Sequence, residues 1–216
     1  MGYKTDDSIT SEAIEFADKC IALEPANPKG YFAKGLLSFV LKDWQDMQRY
    51  LRKAVDLAPN NVEILSNAGI ILITGGYCSR DQYRDKQGKL SSYTEGDCQW
   101  KPGFEMLQKA FELDKGNLYP VKNYGIAHVY NLWGEYEDAY EQMQLAVSPG
   151  FIWYEMHSAI AAAGMKDQTL ARKHFDAVQK IIGSNNISDA HAHFKRWHIP
   201  QYWDMSRGFL LQYGFQ

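Results

Sequence analysis

Much is missing from these 216 residues, and each absence excludes something. No apolar run approaches the ~20 residues of a membrane-spanning helix. The opening Met-Gly-Tyr-Lys-Thr-Asp-Asp lacks the apolar stretch of a secretion signal. Lys and Arg number 23 against 26 Asp and Glu, a net charge of −3, and they form no basic stripe. A nucleic-acid interface needs clustered positive charge, so none is expected. There is no glycine-rich phosphate loop, no His-Glu-x-x-His and no nucleophile elbow. Acidic pairs such as Asp6-Asp7 and Glu137-Asp138 read as helix-start charges. The chain is therefore expected not to be an enzyme and to need no cofactor. The 3 cysteines match no zinc spacing. His191 and His193, two apart on a helix, point to different faces, so no metal site is expected either.

Proline is also scarce, at 7 residues, and long stretches are rich in Ala, Leu, Glu, Lys and Gln. With 45% apolar and 23% charged residues, the chain can build a continuous core from helices. One segment recurs: Cys20-Ile-Ala-Leu-Glu-Pro25 returns as Ala54-Val-Asp-Leu-Ala-Pro59, 34 residues on, and Gly35 and Gly69 stand the same distance apart. Ala110-Phe-Glu-Leu-Asp-Lys115 repeats it, and Ala146-Val-Ser-Pro149 does so in shortened form.

The repeat has a physical basis. Antiparallel helices approach closely only where small residues meet. Gly35, Gly69 and Gly125 supply these in the first helix of each unit, and Ala54, Ala110 and Ala146 in the second. Trp44, Trp100 and Tyr136 are placed to fill the gap near the turn. Pro25 and Pro59 end second helices. Asn27-Pro28 and Pro59-Asn60-Asn61 signal the turns that follow. This predicts a partial unit at 8–25, full units at 28–59, 61–115, 117–149 and 150–183, and a closing cap at 188–216. Predicted helices include 117–132 in the fourth unit. The third unit carries an insertion at 76–97.

The phase of Tyr31, Gly35, Trp44, Leu51, Ala54 and Pro59 resembles a tetratricopeptide-repeat (TPR) unit, and Gly134-Glu-Tyr-Glu-Asp-Ala139 resembles that family's inter-helix turn. The resemblance implies an all-α, right-handed solenoid of antiparallel helix pairs across nearly the whole chain. The C-terminal part, from Gly150-Phe-Ile-Trp-Tyr154 to Trp197, Pro200 and Met205-Ser-Arg-Gly-Phe209, is also similar to the TPR tails of bacterial adenylate cyclases and winged-helix transcriptional regulators. That likeness implies a signalling or regulatory setting, with a cytoplasmic location, or a periplasmic one beside a membrane anchor.

In TPR arrays the first helices line a concave groove. Helical spacing places Lys29, Phe32, Leu36 and Phe39 there, then Glu63, Ser66, Asn67 and Ile70, then Tyr119, Lys122, Asn123, Tyr130 and Trp133, and finally Phe151 and Tyr154. Aromatic anchors with amides and lysines suit a peptide or protein partner. The alternative is that Phe32, Leu36 and Phe39 pack between helices. Asn67, Lys122 and Asn123 suggest the clamp by which some TPR proteins hold a C-terminal carboxylate. Ile70 and Ile126 stand where that clamp needs polar groups, so the set is incomplete.

The insertion is polar, and a loop of its length is either functional or a tolerated extension. Tyr83, Arg84 and Tyr93 are its candidate contacts. Cys78 and Cys98 flank it. A disulfide between them would stabilise by roughly 3 kcal/mol in an oxidising compartment, whereas free thiols suit a reducing one. Cys20 aligns with Ala54 and is expected in the core, and His157 is expected at the small-residue position of the fifth unit. The first helix aligns with second helices and lacks a partner. The chain is therefore expected to be cut from a longer polypeptide, or to form a homodimer through this N-terminal helix as a self-associating scaffold.

Overall fold

The computed structural model describes residues 7–75, 100–146, 148–194 and 200–216. Tyr83, Arg84, Tyr93, Cys78, Cys98 and the insertion lie outside them. The described residues form eleven helices and no strand. In order these are α1 (Asp7–Leu23), α2 (Pro28–Leu41), α3 (Trp44–Leu57), α4 (Val62–Gly75), α5 (Trp100–Leu113), α6 (Lys122–Trp133), α7 (Tyr136–Ala146), α8 (Ile152–Gly164), α9 (Gln168–Ile182), α10 (Ile187–Phe194) and α11 (Pro200–Gln212).

Local chemistry sets the helix ends. Asn27 caps α2 by accepting the Lys29 N–H, and Pro28 opens the helix where no backbone donor is needed. Asp43 and Asp167 cap α3 and α9 in the same way, accepting from Asp46 and Leu170. The residue closing α2 and α6 is left-handed, Lys42 at φ 62° and Gly134 at φ 78°, and Lys166, two residues past the end of α8, is left-handed at φ 64°. α6 starts at Lys122, later than the predicted 117, because Asp114 captures the chain first. Its carboxylate accepts the N–H groups of Leu118 and Tyr119, both at 2.9 Å, while Asn117 turns left-handed at φ 51°. Those donors are thus spent on a turn.

The helices pack as pairs α2–α3, α4–α5, α6–α7 and α8–α9. Small residues allow the approach. A Cβ on Gly69 would stand 2.8 Å from the Gly103 carbonyl, and one on Gly103 would stand 2.6 Å from that of Gly69. First helices α2, α4, α6 and α8 adjoin one another, whereas successive second helices make little or no contact. The layer whose helices lie closer together is the inner one.

Counting back from the left-handed turn residues aligns the units. Gly35 precedes Lys42 by seven residues, and the equivalents are Ala127 before Gly134 and Ala159 before Lys166. Both alanines are fully buried. The small-residue position is therefore Ala127 in the fourth unit, not Gly125, and Ala159 in the fifth, not His157.

α10 packs on α9, and α11 on α8. The chain end is tied down by Gln216 N–H to the Asn185 carbonyl and Ile187 N–H to the Gln216 carbonyl, at 2.9 and 2.7 Å. This end holds the largest core cluster, built on Met156, Ile160, Phe175, Phe194, Tyr202 and Leu210.

Candidate partner-binding surface

The inner layer begins on α2. Lys29 is exposed, Phe32 is half-buried, and Leu36 and Val40 are 37% and 41% exposed. Spaced by four, the last three make one apolar row along the helix. Phe39 does not join them. It is 2% exposed and packs on Met47, Leu51 and Leu72, edge-on to Trp44 with centroids 6.1 Å apart. On α4, Glu63 is exposed and Ile70 half-buried, while Ser66 is fully buried. Asn67 donates to the Glu63 carbonyl at 2.9 Å and to the Tyr119 hydroxyl at 2.6 Å, joining α4 to the turn before α6.

Several expected groove residues lie elsewhere. Lys122 is fully buried; its ammonium bonds Asp114 at 2.7 Å, Asn117 at 2.7 Å and the Tyr119 carbonyl at 3.1 Å. This pair holds the Asp114 carboxyl down at about 2, with the backbone donor of Tyr119 adding to the effect. Lys122 is a structural cation and offers nothing to a ligand. Asn123 is fully buried, its amide on Asn117 at 3.2 Å. Tyr154 is 6% exposed and is bonded by Gln144 of α7 at 3.3 Å, so it joins α8 to the preceding unit. Trp133 packs edge-on against Phe104 of α5 at 5.3 Å, with Tyr130 beside it at 5.9 Å; both are half-buried between α5 and α6.

These corrections share one cause. With Ala127 as the reference, the α6 equivalents of Phe32, Leu36 and Val40 are Tyr124, His128 and Leu132, and sequence reasoning missed all three; Asn131 matches the buried Phe39. His128 corresponds to Leu36 and is fully buried. The Tyr202 ring of α11 stacks on it at 3.9 Å between centroids and 11° between planes. The Tyr202 hydroxyl bonds His157 Nδ1 of α8, and Asn131 donates to the His157 carbonyl at 3.1 Å. Burial pushes His157 down to about 3, so it is neutral, and burial raises the Tyr202 phenol well above its usual range. Nearby, Glu155 accepts the Gly150 N–H at 2.7 Å and bonds His174 Nδ1 at 2.6 Å. These polar groups fasten α11 and α9 to the inner layer. They are sealed from solvent and offer no accessible chemistry.

At the other end, Cys20 was expected in the core and is exposed. α2 covers Ala17 of α1, at 4% exposure, but no described helix covers Phe16 and Leu23, which are 65% and 73% exposed. Among the described residues no helix is long and apolar enough to cross a membrane.

This layered arrangement is a TPR-type α-solenoid, and comparison with known proteins agrees. Among solved structures, the type IV pilus biogenesis factor PilW superposes with a TM-score of 0.62 at 14% identity, over 96% of this chain and 84% of that one. MamA from Desulfovibrio magneticus RS-1 gives 0.53 at 20% identity, over 80% and 85%. YrrB, described as a TPR protein with an unusual peptide-binding site, gives 0.50 at 17% identity, over 85% and 83%. In sequence, 54 residues are 37% identical to Hsp70-Hsp90 organizing protein 2 of Arabidopsis thaliana, covering 25% of this chain. A stretch of 83 residues is 30% identical to the Hsp70-Hsp90 organizing protein of Triticum aestivum, covering 36%. The matches span only 10% and 14% of those relatives. No protein-family model matches the chain.

Proposed function

We propose that the protein is a non-enzymatic interaction module that binds a peptide or partner protein on the inner face of its solenoid. The observation that carries this is the open α2–α4 end of the inner layer. Lys29 and Glu63 are exposed there, beside a partly exposed row of Phe32, Leu36 and Val40. Contiguous exposed apolar surface rimmed by polar groups marks interaction sites. YrrB, a fold neighbour whose description names a peptide-binding site, supports the reading. The C-terminal likeness to the TPR tails of cyclases and winged-helix regulators favours a bacterial signalling or regulatory setting. To test binding, peptides would be selected from a random library against the full chain, then re-measured on Lys29→Glu, Phe32→Ala and Glu63→Lys. Loss of binding on these variants is expected. Binders indifferent to all three would refute the inner face as the site.

A second reading rests on α1. Its uncovered Phe16, Cys20 and Leu23 follow i, i+4, i+7 spacing, which makes one apolar stripe. A scaffold self-associating through this stripe would show a concentration-dependent mass by light scattering, abolished by Phe16→Glu. A monomer at high concentration would rule that out.

A further inference from the structure

The inner layer repeats one row of positions, and the chain itself shows what covers it. Leu36 of α2, His128 of α6 and Ile160 of α8 hold the same place relative to their left-handed turns, and Ile70 of α4 stands one 34-residue repeat after Leu36. His128 and Ile160 are fully buried, Ile70 is half-buried, and Leu36 is 37% exposed. At the C-terminal end the cover is a helix. Tyr202, Ser206 and Leu210 of α11, spaced by four, are buried, and Tyr202 reaches both α6 and α8. The protein thus seats an amphipathic helix of its own against α6 and α8, with the Tyr202 ring over the α6 position that matches Leu36, while that position of α2 stays partly exposed.

Charge decides against the other common ligand, a free C-terminal carboxylate. Lys122 is sealed in its pair with Asp114. Lys34 is engaged with Asp18 and lies over the Tyr50 ring. The first turns of α2 and α4 present one Lys29 and one Glu63, so the face carries no excess of positive charge.

Building on the inner-face reading, we infer that the α2 row of Lys29, Phe32, Leu36 and Val40 docks an amphipathic helix of a partner polypeptide. That helix carries apolar side chains at i, i+4 and i+8 and an acidic group opposite Lys29. It lies on α2 as α11 lies on α6 and α8.

The test uses the full chain and three fluorescein-labelled peptides: residues 200–216 of this protein, the same peptide with Ser206→Leu, and an acidic heptapeptide with a free C-terminal carboxylate. Ser206→Leu completes the apolar i, i+4, i+8 pattern. By fluorescence anisotropy this peptide is expected to bind best and the heptapeptide worst. Leu36→Asp in the protein should weaken the helical peptide at least tenfold with an unchanged circular dichroism spectrum. Val40→Asp is the second variant if Leu36→Asp fails to fold. Equal affinity for wild type and both variants would place the peptide elsewhere, for example in exchange with α11, and would overturn the inference. Binding of the carboxylate peptide alone would overturn it while leaving the inner-face reading standing. Binding of neither peptide class would overturn it too.

Discussion

Acidification from pH 7.5 to pH 5 should cost this protein stability through one buried histidine. His157 is 3% exposed, bonded to the Tyr202 hydroxyl and ringed by Trp153, His128 and Tyr202. Burial lowers it from 6.5 to about 3. In the unfolded chain it takes up a proton near 6.5; in the folded protein it does not until about 3. The unfolded state therefore binds more protons across that window, so stability is full above 6.5 and falls as pH drops towards 3. At pH 5 the unfolded group has been favoured over 1.5 pH units at about 1.4 kcal/mol each, roughly 2 kcal/mol in all. For a chain of this size that is about 4–8 °C of melting temperature. The assay is a pair of thermal and urea melts at pH 7.5 and pH 5, on wild type and on His157→Asn. The variant starts less stable, because the Tyr202 hydroxyl loses its partner at about 1–3 kcal/mol. The informative quantity is the difference in pH dependence, since His128, His174 and Glu155 remain in both proteins. Wild type should lose about 2 kcal/mol more than the variant. Equal losses, within about 0.5 kcal/mol, would refute a sealed neutral His157.

Gly164→Ala should destabilise by about 1–3 kcal/mol, since a Cβ there would stand 2.2–2.4 Å from ring carbons of Tyr136; an unchanged melting temperature would contradict that packing. Lys122→Met should destabilise markedly by stranding the Asp114 carboxylate, and the double variant Lys122→Met/Asp114→Leu should recover part of the loss in denaturant melts. Cys20 should react with a maleimide in the native protein at nearly the rate of a model thiol, read by peptide mass mapping; protection in a dilute monomer would contradict its exposure. The Phe16→Glu variant should fold with unchanged stability, because Phe16 is 65% exposed.

The helical architecture was legible because its signals are local. A 34-residue recurrence, proline stops and Asn or Asp caps act over a few residues and leave little room for alternatives. Asn27-Pro28 is such a case. The register of the fourth and fifth units was harder to read. Gly125 and Ala127 are both small, and only the left-handed turn at Gly134 distinguishes them. That two-residue slip sent Lys122 and Asn123 into the groove and left out Tyr124, His128 and Leu132. The Asp114–Lys122 pair was illegible for another reason: an exposed and a buried lysine look alike in sequence until an acid is found eight residues away and within 2.7 Å. A closing helical segment after residue 188 was legible. Its seat on a buried histidine was not, because hydrophobic periodicity carries no signal for a sealed polar residue.

Whether the inner face receives the partner can be read by amide hydrogen exchange on the full chain. Exchange would be compared with and without a peptide selected against it from a random library. Exchange should slow in α2, α4 and the Tyr119 turn, with α3, α5 and α9 unchanged. Protection confined to the second helices, or to the exposed face of α1, would contradict an inner-face site.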